Sequence, residues 1–428
     1  MSISRRSFVQ IVGAAVAASC GSRPTTASAT GAATRADPLP PHVRPLTGGP
    51  KCHWFGYYDK LQFDPTGRYA LSMQVDFEHR SPTPDDVIQV GMLDLQDGNR
   101  WIELGTSRAW CWQQGCMLQW LPESASEIIW NDREGDHFVA HILDVNTRQR
   151  RTLPHPIYAV SPDAKWAISV DFGRLADMRP GYGYSGVPDA AREELAPATT
   201  GIFRVDLVTG QQDLLISLAD IARIPFPGAD LAGAKHWFNH LLVNPDGSRF
   251  VFLHRWPAGK SRLTRMISAR PDGSDVRVLI GSGYVSHFIW RDPAYMLAYS
   301  KPDGQADAPW GFFLYEDKPG GAVEHIGAGI MTGDGHCNYL PDRRWIVNDT
   351  YPDQERRQHL YLFDTQEQEK IELGAFYQAP EYWSTSPHHE WRVDLHPRIS
   401  PDGRYVTIDS PCGGDGRQIY RVELPLAR

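Results

Sequence analysis

Asn244-Pro245-Asp246-Gly247 separates an apolar run ending at Val243 from the β-rich run Phe250-Val251-Phe252-Leu253. A proline and an aspartate before a glycine form a tight turn, so the stretch reads as a β-hairpin. Six more turns of this kind occur along the chain. They are Asp64-Pro65-Thr66-Gly67, Leu121-Pro122-Glu123, Ser161-Pro162-Asp163, Arg291-Asp292-Pro293, Leu340-Pro341-Asp342 and Ser400-Pro401-Asp402-Gly403. A further apolar run usually follows and ends on an acid, as in Met92-Leu93-Asp94, Ile142-Leu143-Asp144, Val205-Asp206 and Leu362-Phe363-Asp364. Strand-and-turn units repeating every roughly 40 to 50 residues are the signature of propeller blades. The expectation is an all-β fold, a seven-bladed β-propeller over residues 43–428.

That closed ring accommodates the 428 residues as one domain. The balance of 43 Lys+Arg against 51 Asp+Glu is acidic, which argues against a nucleic-acid partner but leaves room for a local basic pocket. Before the ring, Ser4-Arg5-Arg6-Ser7-Phe8 and the apolar stretch Ile11 to Ala18 read as a twin-arginine signal peptide over residues 1–29. Cleavage after Ala27-Ser28-Ala29 is one outcome; lipidation at Cys20, anchoring the chain to a membrane, is the other. Residues 30–42 read as a disordered tether. Export places the mature chain in the periplasm or outside the cell. The six cysteines show no disulfide framework, and Cys111 and Cys116 either pair locally or remain buried thiols.

In a propeller, the residues that lead into each innermost strand surround the axis on the face opposite the first hairpin turns. His240, His336 and His396 each stand five residues before a turn proline, and His287 stands six before Pro293. Four imidazoles at one level converge on the axis. Neutral imidazole binds divalent cations and titrates near neutrality. His240, His336 and His396, with Asp394 or Cys337 as a fourth ligand, are therefore the expected holders of a divalent metal: zinc, manganese or calcium. Asp394 shares a strand face with His396, whereas Cys337 points away from His336 in a regular strand. Arg392, His53, Gln114 and His254 stand near the same mouth as candidate substrate contacts. A glycine-rich loop, Arg179-Pro180-Gly181-Tyr182-Gly183-Tyr184-Ser185-Gly186, is long enough to fold over it.

Paired acids, which glycoside hydrolysis needs, do not stand out on these segments. Histidines, arginines and tyrosines suit β-elimination from a uronate instead. A base removes the C5 proton while cationic groups stabilise the charge that develops on the carboxylate. Trp54, Trp237 and Trp256 are candidates either for stacking on sugars or for the core.

His53-Trp54-Phe55-Gly56-Tyr57-Tyr58-Asp59-Lys60, Gln113-Gln114-Gly115, the Arg179–Tyr184 segment and His236-Trp237-Phe238-Asn239-His240 together resemble seven-bladed polysaccharide lyases. The nearest groups are ulvan lyases and L-rhamnose–glucuronate lyases, with oligogalacturonate lyases more distant. The resemblance implies an acidic polysaccharide or oligosaccharide substrate. It puts proton transfer on Tyr182, with Tyr184 as its alternate, and on His137, and it puts Arg255 on the carboxylate. Gln113-Gln114 departs from the pattern where a second histidine is expected. A non-catalytic carbohydrate- or protein-binding propeller and a metal-dependent glycan hydrolase are the competing readings.

Overall fold

The computed structural model describes residues 38–227, 231–305, 307–383 and 389–426. The expected signal peptide, Cys20 and most of the tether lie outside these residues. Among the described residues, twenty-eight strands form seven four-stranded antiparallel sheets, and the fold is a seven-bladed β-propeller. The innermost strands, in chain order, are Cys52–Trp54, Gln119–Trp120, Ala159–Val160, Trp237–Val243, Val285–Asp292, Asn338–Tyr339 and Arg398–Ile399. Six blades are continuous in sequence. The seventh takes its outermost strand, Val43–Pro45, from the chain's beginning, paired with Gln418–Glu423 in the register Val43↔Val422. This closure joins the two ends of the ring. The folded part starts slightly before residue 43, because Leu39 packs against the last blade and His42 Nε2 bonds the Leu373 carbonyl at 2.6 Å.

The turns that reveal the fold also join neighbouring blades. Gly247 adopts φ +72°, and a Cβ there would lie 3.4 Å from Pro162 in the preceding blade's turn. Gly67 abuts Pro401, and Gly403 abuts Pro341, in the same way. Asn244 Oδ1 accepts from the Arg249 N–H at 2.9 Å, which locks the hairpin. The acids ending the third strands cap the next turn: Asp144 accepts from the Thr147 N–H and Asp206 from the Thr209 N–H, both at 2.8 Å. Cys111 and Cys116 are buried free thiols.

The axis is not an open channel. The segment after the first innermost strand, Tyr57 to Gln62, threads it and reaches every other blade. Trp120 N–H donates to the Leu61 carbonyl at 3.0 Å, and Lys60 Nζ lies 5.2 Å above the Tyr158 ring. His240 Nε2 meets Asp59 Oδ2 at 3.1 Å, and the Tyr58 hydroxyl donates to the Phe288 carbonyl at 2.8 Å. Asn338 Nδ2 donates to the Tyr58 carbonyl at 3.1 Å, and Arg398 Nε to Gln62 Oε1 at 3.3 Å. This plug is the floor on which the site is built. Among the described residues helix is confined to short pieces, one of them Phe172–Met178, which is N-capped by Asp171 and leads into the glycine-rich loop.

Candidate functional site

Two groups of side chains face each other above the plug. The first is built on Asp349, at the end of a strand in the sixth blade. Its carboxylate accepts from His336 N–H at 2.6 Å, from His396 N–H at 3.0 Å, and from His336 Nδ1 at 2.9 Å. His396 and His240 hold φ values of +46° and +47°, a left-handed backbone unusual for a bulky residue; Asp349 accepts from the first N–H, and Asn239 Oδ1 accepts from the second at 2.7 Å. With Nδ1–H donated to Asp349, His336 presents its Nε2 lone pair. That Nε2 and His396 Nε2 are buried and have no hydrogen-bond partner among the described residues. His336, His396 and Asp394 each offer a ligand atom within 4.8 Å of the others. Two orphaned imidazole nitrogens beside a carboxylate, one ring oriented from behind by a second acid, fit a divalent cation.

His287 stands beside this group, its Nδ1 held by Asp334 at 2.9 Å and its ring centroid 4.2 Å from that of His336. His240 is committed elsewhere. Its Nε2–H goes to Asp59, which also pairs with Lys60 at 3.0 Å, and the three-group cluster forms without it. Burial pushes His240 down to about 4 despite the opposing pull of Asp59. The ring stays neutral, with its lone pair on Nδ1.

The second group is arginine-rich. Arg392 Nη2 donates to the Tyr182 hydroxyl at 2.8 Å, while its Nε bonds Asp394 at 2.8 Å. Asp394 thereby links the two groups. Burial pushes the phenols of Tyr57, Tyr58 and Tyr351 well above the usual tyrosine value. Burial acts on Tyr182 in the same direction, but Arg392 and Arg179 outweigh it and hold that phenol below the usual value. Arg255 and Arg179 lie close to it, and the Nε of each is buried without a partner among the described residues. Burial, reinforced by Arg262 and Arg179, pushes Arg255 down to about 9. A buried guanidinium without a carboxylate is poised for an anion.

The loop's geometry follows from Gly183, where a Cβ would collide with the Ala176 nitrogen and the Phe172 carbonyl of the helix beneath. Tyr184, the next residue, turns inward. It stacks on Phe172 at 4.2 Å and accepts from Asn131 Nδ2 at 3.1 Å, which places it in the core rather than at the mouth.

Other expected residues are also placed away from the mouth. His137 sits on an exposed hairpin tip with Asp136 at 3.3 Å. His53 is buried against Gln74 and Trp101, and Gln114 hydrogen-bonds the Tyr158 hydroxyl at 2.7 Å. His254 is sandwiched between His236 and Arg265. Strand alternation separates it from its neighbour Arg255. Cys337 is buried in the apolar cluster with Leu297 and Ile346, opposite His336. Trp54, Trp237 and Trp256 are buried. Gln113, where the lyase pattern expects a histidine, is buried and donates to the Arg392 carbonyl at 3.0 Å, holding the segment that carries Arg392. Asp59, Asp334, Asp349 and Arg179 belong to the site without having been singled out from sequence. Asp59 and Arg179 lie inside the motifs quoted above, but nothing local to the chain marks their partners.

No family model matches the chain, and no curated protein matches it. Solved structures do. An oligogalacturonate lyase from Vibrio parahaemolyticus superposes with a TM-score of 0.63 at 16% identity, over 90% of this chain and 93% of that one. An oligogalacturonate lyase solved in complex with manganese gives a TM-score of 0.64 at 17% identity, with the same coverage. At such identity the likeness is one of fold: this chain shares the seven-bladed propeller of oligogalacturonate lyases, the more distant of the groups its sequence motifs resemble.

Proposed function

We propose that the protein is a lyase that cleaves a uronate-containing polysaccharide or oligosaccharide by β-elimination. The observation that carries this reading is Tyr182: its hydroxyl accepts from Arg392 at 2.8 Å, its phenol is held down where those of Tyr57 and Tyr351 are pushed up, and it lies beside two arginines whose Nε atoms have no partner among the described residues. Arg255 and Arg179 bind the uronate carboxylate. A divalent cation held by His336, His396 and Asp394 would help to neutralise the charge that develops on that carboxylate. Two imidazole donors favour zinc or manganese over calcium, which prefers oxygen ligands. A manganese-complexed neighbour of the same fold supports this choice.

His240, its Nε2–H fixed on Asp59, receives the C5 proton at Nδ1. The C5–H pair becomes the C4–C5 double bond as the C4–O bond breaks. The departing oxygen takes the proton of the Tyr182 hydroxyl, and the lowered phenol makes that transfer easier. Solvent then returns a proton to Tyr182 and removes one from His240. His137 has no part in this scheme, and the role that the lyase resemblance gave it passes to His240. The twin-arginine segment supports action outside the cytoplasm, where acidic polysaccharides are met.

Incubation with a panel of uronate polymers tests the reading. Elimination alone creates a conjugated 4,5-unsaturated uronate, which absorbs in the ultraviolet. Reducing ends appearing without that absorbance would mean hydrolysis, and binding without either would mean a non-catalytic propeller.

A further inference from the structure

The fifth blade carries an aromatic assembly that the proposed chemistry does not use. Tyr284 lies just before its innermost strand, Tyr299 near the end of the second, and Trp310 just before the third. All three therefore stand on the face where His287 enters the site. The Trp310 ring is stacked on Tyr299, with centroids 5.3 Å apart and planes at 13°, and Tyr284 meets it edge-on at 5.8 Å and 87°. Tyr299 is buried, and its hydroxyl donates to the Thr332 carbonyl at 3.0 Å. Tyr284 and Trp310 remain 38% and 37% exposed. The fold thus supports two large rings from below and leaves them open to solvent. Exposed aromatic area gains nothing for folding, and rigid rings held in a fixed orientation mark contact surfaces.

The assembly is continuous with the mouth. Thr332, which anchors Tyr299, is two residues from Asp334, and Asp334 holds both Ser286 Oγ at 2.7 Å and His287 Nδ1 at 2.9 Å. Tyr284 precedes His287 by three residues, about 10 Å of strand. A glycan extending from the mouth over this blade would meet the rings a few sugar units from the reacting bond. Lys301 Nζ lies 5.3 Å over the Tyr284 ring.

We propose that Trp310 and Tyr284 form a distal subsite that stacks on a pyranose ring of the acidic glycan bound at the mouth. This rests on the proposed function for the identity of the glycan. The apolar face of a pyranose matches an open indole or phenol ring, and the rigid support means that little side-chain freedom is lost on binding.

The test compares wild type, Trp310→Ala, Tyr284→Ala and the conservative Trp310→Phe, using trigalacturonate and hexagalacturonate and their glucuronate-containing counterparts. Calorimetric affinity is measured in a Tyr182→Phe background, so that binding is read without turnover. Thermal melts check that the exposed substitutions leave the fold intact. Trp310→Ala should weaken hexasaccharide binding about tenfold more than trisaccharide binding, with Trp310→Phe recovering most of the loss. Equal losses at both lengths, no loss at either, or no binding of any of these probes would overturn the proposal. If the probes bind with this length dependence while the parent protein forms no unsaturated product, the subsite stands and the lyase reading falls.

Discussion

The Tyr182 hydroxyl accepts a 2.8 Å hydrogen bond from Arg392, whose Nε simultaneously holds Asp394, one member of the three-group cation cluster. One arginine thus couples a candidate proton carrier to a candidate metal ligand. Removing the phenolic oxygen should separate chemistry from binding. Tyr182→Phe should lower kcat by about 10² to 10⁴-fold with little change in affinity. Calorimetry on the variant and ultraviolet detection of product check both halves. Undiminished product would dismiss the role, and Tyr184 would not inherit it from the core.

Metal dependence should divide the histidines. His336→Ala and His396→Ala should abolish stoichiometric binding of manganese or zinc, while His240→Ala should keep the metal yet lose activity. Elemental analysis after dialysis distinguishes them. Loss of metal in His240→Ala would mean that the ring leaves Asp59 for the ion.

Arg255 has a buried Nε without a partner, so its charge should cost stability in the absence of substrate. Arg255→Met should stabilise the fold by about 1–3 kcal/mol, seen as a higher Tm, while weakening binding of acidic oligosaccharides about tenfold or more. A variant that melts lower would show that the charge is already satisfied in the free protein.

His236 and His254 form a proton-ordered pair. Arg265 Nε donates to His254 Nδ1 at 3.0 Å, so His254 Nε2–H must donate to His236 Nδ1 at 2.8 Å, and His236 Nε2–H meets the Leu231 carbonyl at 3.1 Å. Burial, reinforced by Arg265, pushes both rings below the usual histidine value, His254 furthest. The unfolded chain therefore binds these protons first. Their contribution to stability is complete above about pH 6.5 and is lost as pH falls below it. His254→Gln preserves both hydrogen bonds but not the titration. Its Tm should fall less than that of wild type between about pH 6.5 and pH 5. Parallel curves would remove His254 from the acid response.

The fold was legible because its signals are local. Turn prolines, aspartates and glycines impose φ values and side-chain acceptors within a few residues, and their recurrence counts the blades. The shared level of His240, His287, His336 and His396 was legible for the same reason, since it is an offset from those turns. The site was only partly legible. Asp394 does meet His396, and Cys337 does turn away from His336, but all four residues precede their strands, where the two-residue period does not apply. Within the strand Phe250–Ala258 the period does apply, and it sends His254 and Arg255 to opposite faces. Tyr182 and Tyr184, two residues apart, would share a face in a strand. In a loop packed against the Phe172–Met178 helix through Gly183 they diverge, one to the mouth and one to the core.

What the sequence determined by itself was the seven-bladed ring and the shared offset of His240, His287, His336 and His396 from its turns. These depend on contacts within a hairpin and on the two-residue period of a strand. The tertiary structure decided which of those side chains meet. The plug from Tyr57 to Gln62 assigns Asp59 to His240 across 181 residues of sequence, and Asp349 gathers His336 and His396 from separate blades. Such partnerships arise only when the ring closes, because a hydrogen bond between distant segments leaves no period and no spacing in the chain.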